Sequence, residues 1–156
     1  FEKYFESMFE EKHLNTEIIT EFKYRLLMSK EHPLAKQDVI TMEELDEYPC
    51  LSFDQGKNNS LYLAEEMKST YEYRRLIKAN DRATLLNLMI GLNAYTLCSG
   101  IICEELNGTD YIAVPFKDES IDEDVMEIGY ITRNNMILSE IGRIYIEEIE
   151  KYLKKQ

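Results

Sequence analysis

The chain is predicted to be an α/β protein with a mostly parallel sheet and helices packed on it. Three observations carry that expectation. Short apolar runs with strand character alternate several times with helical runs, the connections between them are short and polar, and the last segment is a long amphipathic helix. At 156 residues, with 44% hydrophobic and 31% charged side chains, the chain is long enough for a real core and too apolar for disorder.

The elements follow in order. Aromatic residues at Phe1, Tyr4, Phe5 and Phe9 have helical spacing and predict a short amphipathic helix up to His13. Ile18 to Ser29 reads as an extended strand, halted by Lys30-Glu31-His32-Pro33 because the residue before proline is pushed out of the helical region. Thr41-Met42-Glu43-Glu44 is a capping box and predicts a helix over Met42 to Glu47. Pro49 to Phe53 is a short buried strand, leading into the polar loop Asp54-Gln55-Gly56-Lys57-Asn58-Asn59-Ser60. Ser60 then caps a helix to about Thr70.

Arg74 to Ala79 is the next strand, and Asp81 caps an apolar helix over Arg82 to Ile90 that Gly91 closes in the left-handed conformation. Ala94 to Cys98 is a strand; Ser99-Gly100-Ile101-Ile102 turns from it into a short helix, and Asn107-Gly108 makes another turn. Tyr111 to Phe116 and Val125 to Arg133 are strands separated by an acidic loop. From Ser139 the terminal helix places Ile141, Ile144, Tyr145, Ile149, Tyr152 and Leu153 on one face, with Lys151, Lys154 and Lys155 complementing the helix dipole.

Charge narrows the function. With 30 acidic and 18 basic residues the formal net charge is -12, and such a surface repels phosphate backbones, so this chain is not expected to touch nucleic acid itself. No apolar run is long enough to span a membrane, and acidic residues stand where a signal peptide needs an apolar stretch. The three cysteines, Cys50, Cys98 and Cys103, have no disulfide-framework spacing, so the expected setting is reducing and cytoplasmic. With no initiator methionine, the chain is expected to begin inside a larger gene product.

The search for chemistry is largely negative. Gly56-Lys57 is followed by Asn58 and position 51 is Leu, so the pair is not a phosphate-binding P-loop. No glycine-rich dinucleotide fingerprint, nucleophile elbow, zinc-binding helix or Cys-x-x-Cys pair occurs, and no spacing suits a calcium loop. No catalytic residue, metal ligand or cofactor is therefore assigned. His32 has the chemistry of a general base, but a turn residue before Pro33 is the simpler reading. Cys98, at a strand end beside a Ser-Gly turn, has no neighbouring histidine and reads as a small buried or cleft-lining side chain. Asp118, Glu119, Asp122, Glu123 and Asp124 read as a solvated loop rather than a cation site, and Arg74 and Arg75 as exposed strand ends rather than a partner contact.

In parallel sheets, ligands sit beyond the carboxyl ends of the strands. Two such places stand out: Asp54 to Ser60 and Leu97 to Ile101. The first is dense in amides and hydroxyls. It serves as a helix cap plus turn, as a loop gripping a polar ligand, or as both.

Several phrases, in order, resemble the effector-binding domain of LysR-type transcriptional regulators. They are Leu26-Leu27-Met28-Ser29-Lys30-Glu31-His32-Pro33-Leu34-Ala35, then Glu44-Leu45-Asp46-Glu47-Tyr48-Pro49 with Leu51-Ser52-Phe53, then Asp81-Arg82-Ala83-Thr84-Leu85 leading to Gly91 and Thr96-Leu97-Cys98-Ser99-Gly100-Ile101, and finally Ile128-Gly129-Tyr130-Ile131 with Leu138-Ser139. Each phrase is weak alone; their order and spacing are fairly specific and span nearly the whole chain. Asn93-Ala94-Tyr95 departs from the glycine-rich version common in the family, which gives the pocket a shape of its own.

The resemblance implies a two-lobed fold like that of type II periplasmic solute-binding proteins, one lobe complete and the other partial. Residues 1–32 would belong to the first lobe and its hinge strand, 33–126 to the second lobe, and 127–156 to the return hinge strand and terminal helix. The helix-turn-helix DNA-binding domain of such regulators and the opening of the first lobe would precede Phe1. The implied function is ligand sensing: a small polar effector held in the interlobe cleft modulates DNA binding by the missing domain, in a homo-oligomer (dimer or tetramer) with no membrane contact. Carried over by position, the ligand-facing residues are Ser52, Asp54, Gln55, Asn58, Asn59, Cys98 and Ser99, with Gln55, Asn59 and Ser99 the expected polar contacts. Asp54 favours a neutral, zwitterionic or amine-bearing ligand over a dianion. The rival readings are a solute-binding protein of similar fold without a regulatory role, an α/β enzyme, which lacks a catalytic constellation, and a purely structural interaction module.

Overall fold

The computed structural model describes residues 9–54, 56, 73–117 and 125–154. The expected helix over Ser60–Thr70, the acidic loop, and most of the N-terminal aromatic segment lie outside them; of the last, residues 9–12 are helical. The chain divides into two compact units, Lys23–Asp124 and the paired flanks Phe1–Phe22 and Val125–Gln156.

The larger unit is organised on a six-stranded sheet. Its strands are β2 (Arg25–Ser29), β3 (Ile40–Thr41), β4 (Cys50–Phe53), β5 (Leu76–Ala79), β6 (Tyr95–Cys98) and β7 (Tyr111–Lys117), in the spatial order β3-β7-β2-β6-β4-β5. The pairs β3/β7, β4/β6 and β4/β5 are parallel, whereas β2 is antiparallel to both β6 and β7. Five strands therefore run one way and β2 runs against them, so the expected mostly parallel sheet is found with one reversed strand inside it.

The reversed strand has the burial its position demands. Leu26 and Met28 are fully buried on one face, packed with Ile40, Leu45, Cys50, Tyr95, Leu97 and Val114. Leu27, on the other face, packs against Leu51, Met89, Ala94 and Tyr111. A strand covered on both faces needs a continuous apolar run, and Leu26-Leu27-Met28 supplies it. The expected single strand over Ile18–Ser29 is instead two elements: β1 (Leu14–Lys23) lies in a separate two-stranded sheet, and Tyr24 interrupts the run before β2.

The described residues of this unit also form two short helices and one longer one: α1 (Met42–Leu45), α2 (Arg82–Gly91) and α3 (Glu104–Asn107). At α1 the Glu44 carboxylate accepts hydrogen bonds from the Thr41 backbone N–H at 2.8 Å and its hydroxyl at 3.1 Å, which is the expected capping box. Met42 and Leu45 are the buried residues of this single turn. Arg74 pairs with Asp46 at 3.4 Å and Arg75 donates to the Glu47 carbonyl at 2.7 Å, so these arginines fasten the entry of β5 to the segment after α1. The short helix expected after the Ser99–Ile102 turn is found at Glu104–Asn107, and Gly100, at φ +86°, belongs to the turn that precedes it.

Asp81 caps α2, its carboxylate accepting from the Thr84 N–H at 2.8 Å. Met89 is buried beneath this helix, with Leu85, Leu86 and Leu88 around it. The end of α2 corrects the expectation for Gly91. Gly91 is still helical, the Leu92 N–H reaches the Leu88 carbonyl at 2.9 Å, and Asn93 takes the left-handed conformation at φ 48°. Ala94 N–H then bonds the Met89 carbonyl at 3.0 Å, completing a Schellman motif. The ladder runs one residue past the glycine, and Asn tolerates this conformation better than most residues.

In the smaller unit, β1 pairs with β8 (Val125–Arg133), followed by α4 (Glu140–Leu153). Asn134 N–H bonds the His13 carbonyl at 2.8 Å, and Gly129 lies against Glu17 and Ile18, so the two strands run antiparallel. Ser139 caps α4 by accepting from the Gly142 N–H at 3.1 Å. None of the described residues of this unit is fully buried; on α4, Ile141 and Tyr145 are 80% and 68% exposed. The apolar face of the terminal helix is present, but the described elements of its unit leave much of it uncovered.

Two substitutions test this arrangement. Leu97→Ala opens a cavity between the β6 and β2 side chains and is expected to cost about 2–5 kcal/mol in urea unfolding followed by tryptophan-free far-UV dichroism. A Cβ on Gly129 would stand 2.3 Å from the Glu17 carbonyl oxygen, so Gly129→Ala must part β1 from β8. A loss of about 1–3 kcal/mol is expected in the same assay.

Candidate functional site

The strands that run together end at one edge of the larger unit, and that edge carries the described residues selected from the sequence. In the parallel pairing of β4 with β6, Cys50 stands opposite Tyr95. Continuing that register sets Phe53 level with Cys98 and Asp54 level with Ser99. The Thr96 hydroxyl donates to the Leu51 carbonyl at 2.8 Å and ties the two strands together just before they end.

Each described residue has a defined setting there. Ser52 is buried, and its hydroxyl donates to the Phe53 carbonyl at 3.5 Å. Asp54 is exposed; its N–H donates to the Ala79 carbonyl at 2.8 Å, and its carboxylate accepts from the Gly56 N–H at 2.9 Å. That second bond makes an Asx turn, with Gly56 at φ +63°. Cys98 and Ser99 are half-buried: the Cys98 Sγ accepts from the Gly100 N–H at 3.3 Å, and the Ser99 Oγ from the Ile101 N–H at 3.4 Å. Ser52, Asp54, Cys98 and Ser99 are thus gathered on two adjoining strand ends. Gln55, Asn58 and Asn59 lie outside the described residues.

A further residue belongs to the same edge. Because β2 is reversed, its first residue, Arg25, pairs with Cys98, the last of β6. The Arg25 stem packs on Gly100, where an added Cβ would meet the Arg25 Cδ at 2.5 Å. The signal in the sequence is one charged side chain opening the otherwise apolar run Leu26-Leu27-Met28; only the reversed pairing reveals which turn it faces.

His32 is at the other end of β2 and does structural work. Its Nδ1 accepts from the Leu34 N–H at 3.1 Å, which fixes the proton on Nε2, and Nε2–H donates to the Asn93 carbonyl at 3.0 Å. The ring is buried and packs on Tyr48 with centroids 4.4 Å apart. Burial holds the imidazole below its ordinary pKa, the bond to Asn93 opposing this in part. With both nitrogens engaged and the ring at the opposite edge of the sheet, His32 is the turn residue of the simpler reading. Among the described residues no group of three or more His, Cys, Asp or Glu side chains is placed to hold a metal ion, and no helix is long and apolar enough to cross a membrane.

The profile of the LysR substrate binding domain matches residues 6–153. No curated protein matches the sequence. Among solved structures, the effector binding domain of QuiR in complex with shikimate is similar with a TM-score of 0.59 at 14% identity, over 94% of this chain and 68% of that one. The effector binding domain of a BenM variant gives 0.61 at 15% identity, over 91% of this chain and 67% of that one. HinK, a LysR family transcriptional regulator from Pseudomonas aeruginosa, gives 0.61 at 11% identity; 90% of this chain is covered, and the match spans only 48% of HinK.

The His32 geometry sets a pH dependence. The folded protein holds the imidazole neutral with a pKa below the ordinary value of about 6.5. The unfolded chain takes up the proton first, so the stabilisation is complete above pH ~6.5 and is lost as pH falls from there through the lower folded-state value. Urea midpoints at pH 7.5 and 5.5 are expected to differ more for the wild type than for His32→Gln; equal differences would contradict the assignment.

Proposed function

Because this chain belongs to the LysR substrate-binding domain family, we propose that it is the ligand-sensing part of a transcription regulator, and that the strand-end edge of its larger unit holds a small polar effector. The observation that carries the reading is the convergence of Asp54, Cys98 and Ser99 on adjoining strand ends, at the edge where parallel sheets bind ligands. The family match and the position of these residues support it together. Ser52 is a buried support of that edge, and Ser99 is the proposed hydroxyl contact. Gln55, Asn58 and Asn59, from the same loop as Asp54, are proposed to complete the set, with Gln55 and Asn59 as amide contacts.

In the longer regulator, effector binding would shift the population of conformations and, by linkage, the affinity for DNA of a separate helix-turn-helix domain; the assembly proposed is a dimer or tetramer. The lobe assignment carried by the family resemblance, with 33–126 as one lobe flanked by 1–32 and 127–156, is proposed on the same footing.

The test is a thermal-shift screen of this chain with amino acids, hydroxy acids and cyclic carboxylates, shikimate included because QuiR was solved with it. At least one compound is expected to raise the melting temperature, with Ser99→Ala and Asn59→Ala each weakening it by about tenfold, the loss of one or two hydrogen bonds. A ligand whose affinity is the same in both variants would place the effector elsewhere.

A further inference from the structure

Arg25 opens β2 opposite Cys98, at the same edge as Asp54 and Ser99. Among the described residues Arg25 makes no ion pair, although its side chain is exposed. Its stem is nonetheless held in place, packed against the bare Cα of Gly100. Gly100 is suited to this twice over: its φ of +86° strains any other residue, and any side chain would displace the arginine. A guanidinium with a braced stem and an open head is preorganised for an anionic partner, and its planar fork matches a carboxylate.

The surroundings narrow the partner further. Across three neighbouring strands, the edge presents Asp54 at the end of β4, Ser99 at the end of β6 and Arg25 at the start of β2. Two strand spacings and about one residue of offset put the Asp54 and Arg25 Cα atoms roughly 10 Å apart. An acid and a base at that separation, with Ser99 on the strand between theirs, complement a small molecule carrying both signs of charge. A dianion would be repelled by Asp54, and a simple amine would leave Arg25 unanswered.

From this juxtaposition we infer that the effector is a zwitterion of the α-amino-acid class, its carboxylate taken by Arg25 and its ammonium group by Asp54. The inference rests on the reading of this edge as the effector site and names the chemistry that the site selects. Gly100 acts as a positioning residue through Arg25.

The experiment is calorimetric titration of the 156-residue chain with the twenty standard amino acids, each beside its deaminated carboxylic acid and its decarboxylated amine. At least one amino acid is expected to bind at least tenfold more tightly than both of its analogues. Arg25→Gln should remove that advantage over the amine while leaving binding of the amine itself unchanged. Asp54→Asn should remove the advantage over the carboxylic acid, and Gly100→Ala should mimic Arg25→Gln. Arg25 is exposed, so the unliganded melting temperature of Arg25→Gln should equal the wild type and exclude misfolding. An amino acid bound with wild-type affinity by Arg25→Gln but weakened by Ser99→Ala overturns this inference and leaves the edge as the effector site. Wild-type affinity in both variants removes the edge as well. Binding by no amino acid in the set overturns the zwitterion, and the wider effector screen then decides about the edge on its own.

Discussion

The reversed strand β2 is the constraint on which the larger unit depends. It lies inside the sheet, hydrogen-bonded to β6 on one side and β7 on the other, and its side chains enter the core on both faces. A strand so placed joins two groups of parallel strands that would otherwise share no backbone hydrogen bonds. Reversal also decides what each end of the sheet receives. The first residue of β2 is delivered to the edge where β4 and β6 finish, and the last to the edge where they begin.

The two ends are built for different purposes. At the finish of β2 the chain turns through Ser29 and His32, and the imidazole bridges the Leu34 N–H and the Asn93 carbonyl. The left-handed Asn93 is what aims that carbonyl after α2 ends, so helix termination and the histidine turn support each other. At this end both imidazole nitrogens and the Ser29 hydroxyl are engaged within the protein. The opposite end is looser. Asp54 and Ser99 satisfy nearby backbone N–H groups but keep hydrogen-bonding capacity, and Arg25 starts β2 opposite Cys98 with its stem braced on Gly100. Stability concentrated at one edge allows recognition chemistry at the other, where rigid strands position groups that the fold itself does not consume.

Much of this order was legible in the sequence, for identifiable reasons. β7 and β8 were placed almost to the residue because strong strand formers lie between polar segments. The caps at Thr41, Asp81 and Ser139 are local chemistry, decided within four residues. Gly91 misled because glycine is permissive rather than obligatory in ending a helix; the hydrogen-bond ladder continued one residue and the asparagine took its place. The split of the first long strand was not legible, since no glycine, proline or turn signal separates Ile18 from Met28 and only long-range pairing assigns β1 and β2 to different sheets. Arg25 escaped notice for the same reason. Its neighbours in space, Cys98 and Gly100, are more than seventy positions away in the sequence.

The keystone role of β2 has a direct measurement in native-state hydrogen exchange of the unliganded chain, resolved by residue. Amides of Leu26, Leu27 and Met28 are expected to exchange in the slowest class, with the same free energy of opening as Tyr95–Leu97 and Ile112–Val114, because the two halves of the sheet cannot separate without breaking β2. Amides at the strand-end edge, around Ser99 and Ile101, are expected to exchange faster. Fast exchange of β2 while β6 and β7 stay protected would contradict the account, for the sheet would then hold together without the strand that is taken to join it.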